Sequence, residues 1–87
     1  MYRIKYSKEI IKEFKKLDKV TQILIIKWIE KHLLLCDNPK SMGKLLVRSK
    51  KGLWQYRIGN YRLICIIEEK ELIVIALAIG HRKDIYK

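Results

Sequence analysis

The strongest constraint on the fold is a two-residue turn in the C-terminal half of the chain. Residues 57–62 read Arg-Ile-Gly-Asn-Tyr-Arg, and the flanking segments 53–58 and 61–67 have the composition of strands. A Gly-Asn turn joins antiparallel strands and pairs Ile58 with Tyr61, so Arg57 must lie opposite Arg62 on one sheet face. Opposed like charges destabilise a hairpin by up to about 1 kcal/mol. The pair therefore predicts a site for an anion.

The N-terminal half predicts one strand and two helices. Residues 2–6 alternate apolar and basic side chains, as an opening strand does. Ser7 is placed to cap a first helix and Asp18 a second, which runs to about Leu35. Pro39 restricts Asn38 to extended conformations and so ends the second helix.

The C-terminal half predicts an antiparallel meander. A third strand signal covers residues 72–79 and is apolar at nearly every position, which predicts a central strand covered on both faces. A shorter strand is predicted over residues 44–47. We therefore expect residues 1–87 to form a single α+β domain with an N-terminal strand, a two-helix hairpin and a β-meander, the helices lying on one face.

The second predicted helix is apolar on more than one side. Two readings stay open: a wide contact with the core, or an additional surface for a partner protein. The side chains of one stripe are Ile25, Ile26, Ile29 and Leu33, and those leaning toward another are Leu24, Trp28 and Leu35.

The charge of the chain points to a polyanion. The net charge is +11, from 20 Lys and Arg against 9 Asp and Glu. Residues 38–67 contain no acidic residue and seven basic ones, which predicts a basic face with salt-dependent affinity for nucleic acid. The alternative is a lysine-rich surface that only keeps the protein in solution.

Several function classes find no support in the sequence. The two cysteines, Cys36 and Cys65, have no C-x-x-C spacing, and Cys65 alternates with apolar residues as a buried thiol does. There is no metal-ligand spacing, glycine-rich phosphate loop, secretory signal or bilayer-length apolar run. We expect a cytoplasmic protein that uses no metal or cofactor and does not contact a membrane.

The candidate catalytic residues are three arginines, a tyrosine and a histidine. Strand alternation places Gln55 with Arg57 and Arg62 on the face turned away from the core. If the tail after Gly80 folds back across the sheet, His81, Arg82 and Tyr86 join them; the other reading of this tail is a frayed basic terminus. The catalytic set is then Arg57, Arg62, His81, Arg82 and Tyr86.

These residue types suit RNA cleavage by attack of the 2′-hydroxyl. Arginine stays protonated, so it binds phosphate and stabilises a charged transition state without moving protons. Tyr86, whose phenolate is favoured beside arginines, and His81 are the candidates for proton transfer. The residues predicted to bind RNA around them are Lys44, Arg48, Lys50, Lys51, Gln55 and Lys83.

The chain resembles the RelE branch of the RelE/ParE toxins over essentially its whole length. The segments that carry the resemblance are Lys44-Leu45, Gly52-Leu53-Trp54, the run from Arg57 to Ile64 and the run from Gly80 to Tyr86. The resemblance implies a RelE-like, microbial-ribonuclease-like fold. It also implies a type II toxin that enters the ribosomal A site, cleaves mRNA there as a metal-independent endoribonuclease and leaves a 2′,3′-cyclic phosphate.

The resemblance also assigns roles and partners. Arg57 matches a basic position before the turn, Arg62 and Arg82 match arginines of the phosphate chemistry, and Tyr86 matches a terminal catalytic tyrosine. A histidine near His81 takes part in some relatives. The partners implied are a cognate antitoxin, the ribosome with its mRNA, and operator DNA through the antitoxin complex. Some members carry a lysine near the position of Gln55, and a glutamine cannot act as a base.

Two other functions remain open from the sequence. A ParE-like toxin shares this fold but inhibits DNA gyrase, although Tyr86 favours the nuclease branch. A non-catalytic nucleic-acid-binding protein would use the basic face together with Trp54 and Tyr61.

Overall fold

The computed structural model describes residues 1–46 and 52–81. It begins with strand β1, Arg3–Tyr6, and helices α1, Lys8–Lys15, and α2, Lys19–Ile29. The Ser7 hydroxyl accepts a hydrogen bond from the Ile10 amide at 3.0 Å, and the Asp18 carboxylate accepts one from the Thr21 amide at 3.2 Å. Both predicted caps are confirmed, since each satisfies an amide that has no partner inside its helix.

The two helices form a hairpin, and α2 continues beyond its regular part. Gln22 donates from Nε2 to the carbonyls of Phe14, at 3.0 Å, and Leu17, at 2.9 Å, which fixes the connection. A π-helical turn, Glu30–Leu34, extends α2, and a 3₁₀ turn, Pro39–Met42, follows. Asn38 is extended, as the following proline requires, so the predicted helix end is confirmed.

Five strands form one sheet in the order β1-β5-β4-β3-β2. After β1, strand β2 comprises Lys44–Leu45, β3 comprises Trp54–Ile58, β4 comprises Tyr61–Glu68 and β5 comprises Ile73–His81. β1 pairs with β5 in parallel, and the other neighbours pair antiparallel. The predicted α+β fold is confirmed. The strand predicted over residues 44–47 covers Lys44–Leu45 only, and Val47 lies outside the described residues. The strand predicted to be central is β5, but the middle strand of the sheet is β4, because β1 pairs with the other side of β5.

The helices cover one side of the sheet, called here the helix-facing face. Alternate side chains of β3, β4 and β5 point to this face, as the sequence predicts. Tyr56, fully buried, donates from its hydroxyl to the Pro39 carbonyl and meets the Trp28 ring edge-on at 5.7 Å. The buried core residues are Ile10, Ile25, Ile29, Leu33, Tyr56, Ile58, Leu63, Cys65, Val74, Ala76 and Ile79.

The second helical segment carries more apolar side chains than the core buries. Leu24 is 60% exposed and Leu35 is 65% exposed, so neither belongs to a wider core contact. Trp28 is half-buried, and only Ile25 and Ile29 of α2 itself are fully covered. The surface reading of the sequence pattern therefore accounts for Leu24 and Leu35. In the described part of the chain, no helix has the length and apolarity needed to span a membrane.

Candidate functional site

The β3–β4 hairpin brings two arginines together as its turn requires. Ile58 pairs with Tyr61, and Arg57 pairs with Arg62. Gly59, at the first central position of the turn, has a φ of 59°, which is the glycine signature of a type II′ hairpin turn. A residue with a Cβ is strained at such a φ, so Gly59 fixes the register that opposes the two charges.

The two arginines differ in their surroundings, which corrects the prediction that both face solvent. Arg57 is exposed, whereas Arg62 is only 6% exposed. One Nη of Arg62 donates to the Tyr61 carbonyl at 3.4 Å, and its Nε has no hydrogen-bond partner among residues 1–46 and 52–81. Within the described part of the chain, the ion pair joins Lys40 and Glu69 and does not include Arg62.

A buried guanidinium without a carboxylate is costly to desolvate. The cost is offset when an anion binds, because the guanidinium then has a charged acceptor for its free N–H group. The burial of Arg62 also limits its rotamers, so the donor needs little reorganisation when the anion arrives. Arg62 is therefore suited to fixed stabilisation of an anion, and Arg57 to its initial attraction.

The side of the sheet opposite the helices, called here the outer face, gathers further polar residues beside this pair. Lys44 on β2 pairs with Gln55 on β3, and residues paired across strands point to the same side. The neighbour of Arg62 on β5 is Gly80. Glycine has no side chain, so this neighbour adds no side-chain bulk beside the guanidinium.

His81 does not join the arginine pair. It pairs with Tyr61, and the two rings meet edge-on with centroids 5.8 Å apart. Tyr61 points to the helix-facing face, beside α2, because it precedes Arg62 by one residue on the strand. The expectation that His81 lies next to Arg57 and Arg62 is wrong for this reason: the one-residue alternation places it on the other side of the sheet.

The sequence-predicted residues thus divide into three groups. The outer face brings together Lys44, Gln55, Arg57 and Arg62, and His81 lies on the opposite face. The predicted residues outside the described part of the chain are Arg48, Lys50, Lys51, Arg82, Lys83 and Tyr86.

Two buried groups are poor candidates for proton transfer. Burial raises the pKa of the Cys65 thiol to about 12. Burial, with smaller contributions from neighbouring cysteines, also raises the pKa of Tyr56. Both groups stay protonated at neutral pH and are structural members of the core.

Sequence reasoning missed an apolar groove on the other side of the molecule. It has a volume of about 200 Å³ and lies between β1, α1 and α2. Its lining residues are Tyr6, Ile10, Ile11, Phe14, Lys15 and Ile26. The signal was weak: Tyr6 and Ile11 fit a strand and an amphipathic helix, and only packing shows that they remain about 43% exposed.

Known proteins resemble this chain in both sequence and fold. The family model described as "ParE toxin of type II toxin-antitoxin system, parDE" matches residues 4–86. A putative RelE-like toxin protein of Escherichia coli is 30% identical over 89 residues, covering 98% of this chain and 90% of the relative. Both matches extend over almost the whole sequence.

Two solved structures have the same fold. The toxin-antitoxin complex RelBE2 from Mycobacterium tuberculosis contains a chain with a TM-score of 0.81 and 25% identity, covering 95% of this chain and 93% of that one. The archaeal RelE-RelB complex from Pyrococcus horikoshii OT3 gives a TM-score of 0.76 at 22% identity, with coverages of 95% and 97%. This chain belongs to the RelE/ParE superfamily of type II toxin-antitoxin toxins, in its RelE branch.

Proposed function

We propose that this toxin is a ribosome-dependent endoribonuclease that cleaves mRNA in the A site and thereby inhibits translation. The observation that carries the proposal is Arg62, buried without a carboxylate partner among the described residues and paired with the exposed Arg57 on the outer face. A phosphodiester is the anion that such a pair suits, since guanidinium groups bind phosphate oxygens in bidentate fashion.

The proposed reaction is an internal transesterification. The 2′-oxygen of the RNA forms a bond to phosphorus, and the bond from phosphorus to the 5′-oxygen of the next nucleotide breaks. The products are a 2′,3′-cyclic phosphate and a 5′-hydroxyl. The phosphorane-like transition state carries more negative charge than the ground state, and Arg62, held by burial, stabilises that extra charge.

The proton transfers belong to residues other than the arginine pair. One group accepts the proton of the 2′-hydroxyl, and another donates a proton to the departing 5′-oxygen. Gln55 has no ionisable group, so the base is not at the position where some relatives carry a lysine. By the family resemblance, Tyr86 is the proposed proton-transfer group, and Arg82 is proposed to support the phosphate chemistry. His81 is a weaker proposal, given its contact with Tyr61.

The proposed binding surface for RNA is the outer face of the sheet together with basic residues outside the described part of the chain. Lys44 and Arg57 lie on it, next to Gln55. Arg48, Lys50, Lys51 and Lys83 are proposed to extend it. The net charge of +11 supports binding to the phosphate-rich decoding region of the ribosome.

A cognate antitoxin is the proposed protein partner. The solved relatives from Mycobacterium tuberculosis and Pyrococcus horikoshii are toxin-antitoxin complexes. The exposed apolar side chains Val20, Ile23 and Leu24 on α2 support a partner that covers them. Operator DNA is then contacted through the antitoxin, and the site of action is the cytoplasm.

The direct test is mapping of mRNA 5′ ends in a translating cell extract. The wild-type toxin is expected to produce cuts in phase with ribosome position, and no cuts when translation is blocked before initiation. Arg62→Ala is expected to abolish them. Lys70→Ala, which removes an exposed cation in the β4–β5 turn, is the matched control and is expected to cleave normally. Unphased cuts, or full activity of Arg62→Ala, would overturn the proposal.

A second candidate function is inhibition of DNA gyrase. It is favoured by one observation, namely that the matching family model describes ParE toxins. A supercoiling assay with purified gyrase separates the two candidates. Inhibition of supercoiling together with intact mRNA in the translating extract would replace the nuclease proposal.

A further inference from the structure

A cleft opens between α2 and the tip of the β3–β4 hairpin, on the helix-facing face. It has a volume of about 290 Å³, just below the range of about 300 to 1,000 Å³ that is usual for small-molecule sites. Its lining residues are Thr21, Leu24, Ile25, Trp28, Ile58, Gly59, Asn60 and Tyr61. A cleft of this size suits one planar ring system rather than a helix or strand of a partner protein.

The cleft combines apolar surface with a few polar groups. Ile25 and Ile58 are buried, and both line the cleft. The exposed Asn60 carries a side-chain amide, and the Thr21 hydroxyl, which donates to the Asp18 carboxylate, can still accept a hydrogen bond. A nucleobase has flat faces that stack on aromatic rings and an edge with hydrogen-bond donors and acceptors. Its chemistry therefore matches that of the cleft.

Two aromatic side chains line the cleft, and each is in contact with further rings. The centroid of Trp28 lies 5.7 Å from that of Tyr56 and 4.7 Å from that of His32. The Tyr61 ring meets His81 edge-on at 5.8 Å. Rings that are already held by neighbours lose little rotamer freedom when a ligand stacks on them, so the stacking is not offset by a cost of ordering.

The cleft lies one residue pair away from the two arginines. Ile58 and Tyr61, which line it, form the last pair before the turn. Arg57 and Arg62 form the next pair, and successive pairs point to opposite faces of the sheet. At Gly59 the tip is open: among the described residues beyond its chain neighbours, a Cβ added there would meet no atom within 4 Å. Only the hairpin tip therefore separates the two sites.

We propose that this cleft binds one unstacked base of the RNA strand whose phosphate lies at Arg57 and Arg62. The strand passes the hairpin tip and turns the base into the cleft, where Trp28 and Tyr61 supply the stacking surface and Asn60 meets the edge of the base. The inference rests on the RNA substrate of the proposed function. It adds a contact to a base, and so a preference among nucleotides next to the cleavage site, which contacts to phosphate do not provide.

NMR titration of the full-length toxin tests the proposal. The probe is a trinucleotide of 2′-O-methyl RNA, which lacks the attacking hydroxyl, and the matched ligand has the same sugars and phosphates without bases. The intact trinucleotide is expected to shift the indole N–H of Trp28 and the side-chain amide of Asn60 together with the guanidinium of Arg62. The ligand without bases is expected to shift Arg62 alone. The indole of Trp54, which does not line the cleft, is the internal reference.

The Trp28 and Arg62 signals separate this inference from the function on which it rests. Equal shifts at Trp28 with both ligands, or no shift at Trp28 when Arg62 responds to the intact trinucleotide, would overturn the base site and leave the phosphate site standing. No response of Arg62 to either ligand would count against the RNA site itself, and the base site would be refuted with it. No ribosome is present, so the base site can fail while ribosome-phased cleavage is observed.

A protein variant tests the stacking surface separately. Tyr61→Leu keeps an apolar side chain on the hairpin and removes the ring, so it is expected to weaken binding of the intact trinucleotide about fivefold or more and to leave binding of the ligand without bases unchanged. Tyr2→Leu makes the same change at a partly buried position outside the cleft and is expected to leave both affinities unchanged. Fluorescence anisotropy with labelled ligands measures the affinities. Equal losses for the two ligands in Tyr61→Leu would show damage to the hairpin and refute stacking on Tyr61.

Discussion

Arg57 and Arg62 stand opposite each other across the β3–β4 hairpin, yet Arg57 is exposed and Arg62 is 6% exposed. The pairing follows from the two-residue turn, whereas the difference in exposure follows from what surrounds each side chain in the folded molecule. An exposed cation attracts a phosphate from a distance, whereas a buried one holds it in a fixed geometry. The predictions for the two residues therefore differ.

Arg62→Met is expected to lower mRNA cleavage by about 100-fold or more, since it removes a preorganised donor to the transition state. The same change is expected to raise the free energy of unfolding by roughly 1 to 3 kcal/mol, because a buried charge with no carboxylate partner among the described residues is replaced by an apolar side chain of similar size. Urea denaturation and 5′-end mapping measure the two effects. A less stable protein would contradict this account of the burial of Arg62.

Arg57→Gln is expected to weaken RNA binding mainly at low salt. Removing one phosphate contact lowers the slope of log affinity against log salt by about 0.7 for single-stranded RNA. Relief of the opposed charges also adds up to about 1 kcal/mol to the free energy of unfolding. Fluorescence anisotropy with a labelled RNA at several salt concentrations measures the slope, and Lys70→Gln in the β4–β5 turn is the control with the same charge change.

Gly43→Ala is expected to destabilise the protein by about 1 to 3 kcal/mol, as overpacking of a core does. A Cβ at this position would lie 2.8 Å from both Cε1 and Cζ of Tyr56. That ring is held by its hydroxyl bond to Pro39 and by Trp28, so it cannot move aside easily. Thermal unfolding measures the change, and Ser41→Ala in the same exposed turn is expected to be nearly neutral.

The two cysteines are expected to differ in reactivity. Cys36 is half-buried and donates to the His32 carbonyl, whereas Cys65 is fully buried. Iodoacetamide at pH 8 should therefore modify Cys36 first and reach Cys65 only after unfolding. Mass spectrometry of the digested protein measures this order. Equal modification of both thiols in the folded protein would contradict the burial of Cys65.

Cys65 also predicts a loss of stability at high pH. Its pKa is raised from 9.0 to about 12 by burial, so the unfolded chain releases the proton more readily than the folded one. The contribution to stability is complete below pH 9 and decreases as the pH rises toward 12. Between pH 9 and pH 12, the free energy of unfolding, measured by denaturation at each pH, should decrease less for Cys65→Ala than for the wild type. Cys65→Ala starts from a lower stability because it leaves a small cavity.

Much of the fold could be read from local signals. Ser7 and Asp18 predict the helix starts because their short polar side chains satisfy free amides. Gly59 predicts the hairpin, and strand alternation then predicts which residues of β3 and β4 enter the core. These predictions succeed because each depends on residues within a few positions of one another.

The candidate site was only partly predictable. Lys44, Gln55, Arg57 and Arg62 share a face, as the alternation indicates. The position of His81 was not predicted, because β5 extends one residue past Gly80 and the alternation then turns the imidazole toward Tyr61. Where a strand ends depends on its neighbour in the sheet, and the local sequence carries little of that information.

The sequence by itself determined the register of the hairpin, and with it the opposition of Arg57 and Arg62. Turn geometry and side-chain alternation are local properties, and they leave no other arrangement. Only the tertiary structure decided that Arg62 is buried, that β1 forms an edge and that Tyr6 and Ile11 border an open groove. Burial and edge position depend on which elements pack together from distant parts of the chain. No short segment specifies how the sheet and the helices pack together, so these features could not be predicted locally.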